Sequence, residues 1–132
     1  MLMKTLTIKQ PWADLIVVGI KNIENRTWKT SYRGRVLIHA SKSPCSRGDL
    51  DAYPLSALSE NINLNKYTPG QFTNGAIIGS VDIVDCVMNY PSEWAEKGVY
   101  NWVLANPVKF EKPILNVKGM LGLWDYKGNI NN

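Results

Sequence analysis

Histidine and cysteine are scarce in this sequence, and their scarcity excludes several kinds of site. The chain has one histidine, His39, and two isolated cysteines, Cys45 and Cys86, among 132 residues. Without a C-x-x-C pair these residues suggest neither a zinc site nor a disulfide framework, so we expect two free thiols, no metal and no cofactor. A lone histidine also leaves Ser41 without the partners of a Ser-His-Asp triad. We expect His39 to be a packed side chain.

Long apolar runs are absent as well. The longest one near the start, residues 15–18, is far too short to span a bilayer, and the first twelve residues lack the apolar region of a signal peptide. We therefore expect a cytoplasmic protein with no membrane association. The length of 132 residues suits one core, so 1–132 is predicted to be a single domain and a complete protein.

Positive charge is concentrated in the first third of the chain. Residues 1–47 carry nine basic and two acidic residues, a charge of +7, whereas residues 48–132 carry six basic and nine acidic residues, a charge of −3. Segregated basic charge is typical of proteins that bind a polyanion such as RNA or DNA. The alternative is a solvated surface whose charge has no role.

The period of the apolar residues predicts the first elements. Leu6 and Ile8 alternate with polar residues, as in a short strand. A short helix should follow, because Pro11 is tolerated in a first helical turn and Gly19 accepts the left-handed conformation of a C-terminal cap.

From residue 22 the period changes to two. This predicts a strand over 22–28, a turn over 30–34 and a second strand over 35–40. In the second strand alternate residues should face the core and the others should point away. The inward residues are predicted to be Val36, Ile38 and Ala40, and the outward ones Arg35, Leu37 and His39.

The rest of the chain reads as further strands joined by irregular segments. Apolar, β-branched runs predict strands over 76–87, 100–105, 108–117 and 119–126, with a bulge near Asp85 and a turn at Asn106-Pro107. A helix over 49–58 and a helical turn over 91–97 are weaker predictions. Five to seven strands with few short helices indicate an α+β protein, and a small closed or nearly closed barrel would bury the sheet edges economically.

A polar cluster follows the predicted helix. Lys21, Glu24 and Arg26 lie within six residues where the chain reverses, and Trp12 and Trp28 flank them. One interpretation is that these residues form a surface salt-bridge cluster, which would contribute little to the stability of the fold. Aromatic faces beside cationic groups instead form a natural stacking site for a base, with lysine or arginine on phosphate.

The pairing within this cluster has two possible forms. Glu24 can pair with Lys21, which keeps the lysine charged, or with Arg26, which leaves the lysine freer to act as a base. The sequence leaves both open.

At these residues the sequence resembles the ASCH (activating signal cointegrator homology) domain of the PUA-like superfamily. Gly19, Lys21, Glu24 and Arg26 match the G-x-K-x-x-E-x-R signature of that family. Positions 10–12, 28, 30, 33–35 and 40 resemble the eukaryotic version more than the smallest bacterial members. Positions 79–82, 85–86 and 118–124 also fit the family. The resemblance implies a PUA-like, small mixed β-barrel with a few short helices, a cleft beside the signature, and an RNA- or nucleic-acid-related role.

Some small bacterial family members that resemble this chain remove the acyl group from acetylcytidine. Their lysine corresponds to Lys21, their threonine to Glu24, and an acidic residue from a later strand to Asp82 or Asp85. This chain therefore lacks the threonine hydroxyl. If the protein is an enzyme of this kind, the resemblance implies Lys21, Glu24 and Asp82 as its catalytic residues.

Three functions follow as hypotheses. The first is a binding module for a nucleotide or for single-stranded RNA or DNA, in which Lys21 and Arg26 hold phosphate or sugar, a tryptophan stacks a base, and Glu24 reads an exocyclic amine or orients Arg26. The second is an amidohydrolase acting on a modified nucleoside, and the third is an accessory domain for protein contacts. The predicted ligand-binding residues are Lys9, Gln10, Trp12, Lys21, Glu24, Arg26, Trp28, Arg33, Arg35, Ser41 and Lys42.

Overall fold

Six strands and one short helix make up the described part of the chain. The structure is a computed structural model that describes residues 2–43 and 72–130. In chain order the elements are β1 (Met3–Ile8), α1 (Trp12–Val17), β2 (Ile23–Arg26), β3 (Gly34–Ala40), β4 (Ala76–Val87), β5 (Tyr100–Ile114) and β6 (Leu123–Tyr126). The predicted helix over 49–58 lies outside the described residues. No helix among the described ones is long and apolar enough to cross a membrane.

The strands form one curled, mixed sheet in the order β2-β5-β4-β3-β1-β6. Only β1 and β3 run parallel, and the other neighbours are antiparallel. The long strands β4 and β5 pair with several register shifts, which increase the local twist and curl the sheet. Within the described residues, β2 and β6 remain outer strands that do not pair with each other. The predicted mixed β-sheet is confirmed. Among the described residues the sheet forms a half-barrel with one short helix.

Helix α1 packs inside the curl of the sheet. Four of its six residues are buried, and they contact β3, β4 and β5. The close approach requires Gly79, because a Cβ at that position would lie 2.7 Å from Val17 Cγ1 and would also clash with the Val108 carbonyl oxygen. As predicted, the helix ends just before a glycine with positive φ, Gly19 at 85°.

Strand β3 is buried on both faces. Val36 and Ile38 lie in the main core as predicted, but Leu37 and His39 are also almost fully buried, so the prediction that they point away from the core is wrong. Leu37 packs with residues of a second apolar cluster. The ring of His39 lies edge-on to Trp124 at 5.7 Å, and its Nε2 lies 2.7 Å from the Val117 carbonyl oxygen.

Three other sequence predictions need correction. Strand β5 continues through the predicted turn at Asn106-Pro107, where Asn106 takes a φ of 53° and the register with β4 shifts, so the feature is a bulge. The last strand begins only at Leu123, and residues 91–97 form turns without a helix. The bulge expected near Asp85 is confirmed by a register shift between Ile83 and Asp85.

Candidate functional site

Glu24 lies between two cations on β2. One carboxylate oxygen, Oε1, is 3.5 Å from Lys21 Nζ, and the other, Oε2, accepts hydrogen bonds from Arg26 Nε at 3.0 Å and Nη2 at 2.9 Å. The two pairings that the sequence left open therefore occur together. Lys21 and Glu24 are buried, so this ion pair is far less exposed to solvent than a surface salt bridge.

Lys21 is buried because the chain folds back under the end of α1. Its backbone N–H donates to the Leu15 carbonyl oxygen, and its side chain donates to the Ile23 carbonyl oxygen. Burial lowers the pKa of the Lys21 ammonium group, and the neighbouring Glu24 carboxylate opposes that shift. The ammonium group therefore holds Glu24 in place and is enclosed by protein on most sides.

Arg26 connects the two sides of the half-barrel. In the sheet, β2 and β1 are separated by three other strands, yet Arg26 Nη2 donates to the Thr7 carbonyl oxygen on β1 at 2.9 Å. This bond crosses the opening that the curled sheet leaves between its first and fifth strands. Because Glu24 holds the same guanidinium group, the ion pairs of the signature lie at that opening.

A cleft of about 450 Å³ lies directly beside these ion pairs. Two tryptophans of one apolar cluster line it: Trp12, at the start of α1, is partly buried, and Trp94 is buried. The lining residues come from β1, α1, β2 and the 93–96 segment. They are Ile8, Lys9, Trp12, Lys21, Glu24, Asn25, Glu93, Trp94, Ala95 and Glu96.

Two asparagines fix the segment that carries Trp94. The buried Asn101 donates to the Glu96 carbonyl oxygen at 3.1 Å and to Asn25 Oδ1 at 2.9 Å. Asn25 in turn donates to the Trp94 carbonyl oxygen at 2.9 Å and accepts from the Glu96 N–H at 3.1 Å. These bonds satisfy the backbone of an irregular segment and hold Trp94 and Glu96 against the cleft.

A second hollow of about 390 Å³ adjoins the first on the other side of Glu24. Arg26, Ser41 and Ser43 line it, and it shares several lining residues with the first hollow. The shared residues are Ile8, Lys9, Glu24 and Asn25. The structure therefore brings together six of the predicted site residues, which are Lys9, Trp12, Lys21, Glu24, Arg26 and Ser41.

Charge is distributed unequally between these two hollows. The first is lined by the carboxylates of Glu24, Glu93 and Glu96 together with two lysines, so it is not a basic pocket. The second is lined by Lys9 and Arg26 against the single carboxylate of Glu24. A phosphate group is therefore favoured in the second hollow and disfavoured in the first.

Two predicted residues, Gln10 and Trp28, lie outside both hollows. Gln10 is buried at the start of α1, where its side chain accepts from the Asp14 N–H at 2.9 Å and donates to the Thr73 carbonyl oxygen at 3.0 Å. Trp28 lies edge-on to Trp102, with ring centroids 4.6 Å apart. Strand β2 ends at Arg26 and does not continue to residue 28 as predicted, so Trp28 lies outside the strand that carries Glu24.

Arg33, Arg35 and Asp82 are also separate from the cleft. Arg35 pairs with Asp82 at 3.1 Å and donates to the Asn106 carbonyl oxygen at 2.7 Å, and Arg33 lies 3.8 Å from Asp85. Arg35 is near the start of β3 and Ser41 follows its end, which at about 3.3 Å per residue places them roughly 20 Å apart. The structure does not bring Asp82 to Lys21.

The sequence that carries these ion pairs also matches a known protein family. A family model, the ASCH domain, matches residues 6–114. The chain belongs to the ASCH domain family. The matched range includes Lys21, Glu24 and Arg26. It contains β2, β3, β4 and β5 in full, enters β1 at Leu6 and ends before β6.

Two curated relatives contain a matching region. The human protein named Activating signal cointegrator 1 is 35% identical over 85 residues, and the mouse protein of the same name is 35% identical over the same length. Each match covers 62% of this chain and 14% of the relative. The matched part is thus a small fraction of those proteins.

Sequence reasoning missed six of the ten residues that line the cleft of this ASCH domain. Four of them, Glu93, Trp94, Ala95 and Glu96, lie in the 93–96 segment, and the other two are Ile8 and Asn25. The acidic residue expected from later in the chain was Asp82 or Asp85, whereas Glu96 lines the cleft and its charge acts on Lys21. No local pattern indicates these positions, because the 90–96 segment is irregular.

The donor atoms of the site do not suggest a metal. Among residues 2–43 and 72–130, no group of three or more histidine, cysteine, aspartate or glutamate side chains is close enough to hold a metal ion. The three carboxylates of the cleft are arranged around Lys21 and the Trp94 segment.

We expect Glu24→Gln to lower the free energy of unfolding by about 3–5 kcal/mol, because it leaves the buried Lys21 without its carboxylate partner. The matched control is Glu93→Gln, an exposed carboxylate of the same cleft, for which we expect a change within about 0.5 kcal/mol. Urea unfolding followed by tryptophan fluorescence measures both.

The double variant Lys21→Met/Glu24→Gln separates charge from packing. It removes the uncompensated charge, so it should be less destabilised than Glu24→Gln alone. Equal stability of Glu24→Gln and Glu93→Gln would contradict a central role for this ion pair.

Proposed function

We propose that the cleft binds one base of a nucleotide or of single-stranded RNA or DNA. The observation that supports this proposal is that Trp12 and Trp94 line a cleft whose polar lining includes three carboxylates. Stacking on an aromatic side chain contributes about 1–3 kcal/mol per base. A cleft of about 450 Å³ is within the usual size of small-ligand sites.

The carboxylates are suited to the edge of the base. Glu93 and Glu96 are acceptors that an exocyclic amine can satisfy, and cytosine and adenine carry such amines whereas uracil does not. Glu24 already accepts from Arg26 and pairs with Lys21, so its role in this proposal is to orient the two cations. We therefore propose a preference for bases that carry an exocyclic amine.

Phosphate groups belong on the other side of Glu24. The exposed Lys9 and the partly exposed Arg26 line the second hollow, where Ser41 and Ser43 add hydroxyl donors. Lys21 is 5% exposed and enclosed by Ile23 and Glu24, so in this proposal it is a positioning residue and does not contact phosphate. The sugar would lie above Glu24, between the two hollows.

The curled sheet fits a PUA-like barrel that is open between β1 and β2. In this proposal the opening is the binding site, and the bond from Arg26 to Thr7 sets its width. The proposed ligand thus contacts both sides of the opening.

Trp12→Leu tests the stacking role. The variant keeps an apolar side chain at the start of α1, and we expect affinity for a labelled RNA hexamer of cytidine to fall about ten- to hundredfold, measured by fluorescence anisotropy. Trp28→Phe is the matched control and should keep wild-type affinity, because Trp28 packs on Trp102 and does not line the cleft. The wild-type affinity should fall as salt rises.

Unchanged affinity in Trp12→Leu, or an equal loss in Trp28→Phe, would refute the proposed stacking of a base in the cleft. A hexamer of uridine that binds as tightly as the cytidine hexamer would refute the proposed role of Glu93 and Glu96.

A second candidate function is hydrolysis of an acylated nucleoside such as acetylcytidine. The observation that favours it is a buried lysine with a lowered pKa, Lys21, in the same cleft as Glu96. In this proposal Glu96 takes a proton from water as the water oxygen adds to the acyl carbonyl carbon. The bond from that carbon to nitrogen then breaks, Lys21 supplies a proton to the leaving nitrogen, and acetate and cytidine are released.

Release of acetate from acetylcytidine, followed by chromatography, tests the enzyme proposal. We expect Glu96→Gln to lower the rate by about 10²–10⁴-fold, the usual contribution of a general base. Glu111→Gln, at an exposed carboxylate that does not line the cleft, should keep the wild-type rate. No release by the wild-type protein, or wild-type turnover by Glu96→Gln, would eliminate this assignment.

A further inference from the structure

A third hollow continues the depression beyond Arg26. It has a volume of about 640 Å³ and lies between the ends of β1 and β3 and the segment 116–121. It shares Thr7 and Ser41 with the second hollow, as the second shares four residues with the first. The second hollow therefore adjoins both the first and the third.

The third hollow differs from the first in charge. Lys42 and Lys118 line it, and among its described lining residues there is no acidic side chain. Along the depression the lining thus changes from three carboxylates beside Trp94 to two lysines at the far end. This gradient suits a ligand with a base at one end and a phosphodiester chain toward the other.

An unsatisfied acceptor lies in the wall of this hollow. Because a carbonyl oxygen can only accept, the contact with Val117 assigns the proton to Nε2 of His39 and leaves Nδ1 as an acceptor. Nδ1 is buried and has no hydrogen-bond partner among the described residues. A buried acceptor without a partner is costly, so this nitrogen indicates a donor that the bound ligand supplies.

The neighbouring residues leave space for such a ligand. A Cβ at Gly119 would lie 2.9 Å from His39 Nδ1 and 2.8 Å from Thr7 Oγ1, so only glycine keeps this edge of the ring open. Met120 and Leu121 follow and are exposed, Leu121 at 99%. Apolar side chains at the rim of a basic hollow offer a surface that the face of a base can cover.

We propose that the third hollow is a second nucleotide-binding subsite, which makes the ligand a single strand of about three or more nucleotides. One base lies between Trp12 and Trp94, the backbone passes Arg26, and the following nucleotides lie beside Lys42 and Lys118. A ribose hydroxyl or an exocyclic amine donates to His39 Nδ1. This inference rests on the proposed function, because the nucleic-acid strand extends from the base that is bound in the cleft.

A length series tests the inference. The affinities of cytidine and deoxycytidine monophosphate, and of 5′-phosphorylated RNA and DNA strands of two, three and four cytidines or deoxycytidines, are measured by isothermal titration calorimetry at one low salt concentration. The trinucleotide should bind at least about tenfold more tightly than the mononucleotide, because two more phosphates reach lysine side chains. A larger gain for RNA than for DNA identifies the donor to His39 as a ribose hydroxyl, and an equal gain identifies it as an amine; both support the subsite.

Two double variants assign that gain to the third hollow. Lys42→Ala/Lys118→Ala should reduce trinucleotide affinity about tenfold and leave mononucleotide affinity unchanged. The control Lys29→Ala/Lys127→Ala removes two exposed lysines that do not line the depression and should change neither affinity. Gly119→Val should reproduce the loss for the trinucleotide by filling the space beside His39.

The outcomes separate the two proposals. If the mononucleotide binds and the trinucleotide binds no more tightly, the second subsite is refuted, whereas the proposal that the cleft binds a base is not. An equal loss in the two lysine double variants also refutes the subsite. If neither the mononucleotide nor the trinucleotide binds, the proposed function itself is wrong.

Discussion

The ion pairs made by Glu24 are the interaction on which the site depends. A single buried carboxylate holds Lys21 under the end of α1 and Arg26 across the opening of the half-barrel. Buried ion pairs are not an efficient source of stability, since desolvation offsets much of the attraction. Their value here is positional, because they fix the geometry of the opening between β1 and β2.

The position of this interaction explains why the cleft has two chemical sides. Toward the 93–96 segment, tryptophans and carboxylates surround the buried lysine. Toward β1 and β3, Lys9 and Arg26 face hydroxyl groups. Glu24 lies at the boundary and is shared by both hollows. A nucleotide has the same division into an apolar, amine-bearing base and an anionic phosphate, and that correspondence underlies the proposed function.

Much of the fold was predictable from sequence because its signals are local. The alternation in β1, the proline and glycine that bound α1, and the β-branched run of β4 each reflect the chemistry of neighbouring residues. The burial of Leu37 and His39 was not predictable, because it depends on what covers the second face of β3. The bulge at Asn106 resembles a turn in sequence, and only its pairing with β4 distinguishes the two.

The candidate site was predictable only where it follows the chain. The cluster of Lys21, Glu24 and Arg26 lies within six residues, and its spacing led to the family. Trp94 and Glu96 are held at the cleft by hydrogen bonds with Asn25, which lies about 70 residues earlier in the sequence, and Glu96 also by one from Asn101 on β5. Not all basic residues of the first third of the chain lie at the site, since Arg33 and Arg35 pair with acidic groups near the start of β3, away from Ser41.

The central claim is that a base lies between Trp12 and Trp94, and the indole N–H signals of the five tryptophans test it most directly. In ¹H–¹⁵N spectra recorded during titration with cytidine monophosphate, the signals of Trp12 and Trp94 should shift together and saturate. Those of Trp28 and Trp102, which pack on each other and do not line the cleft, should stay in place. Shifts confined to Trp28 and Trp102, or no shift in any indole signal at saturating nucleotide, would contradict the proposed site.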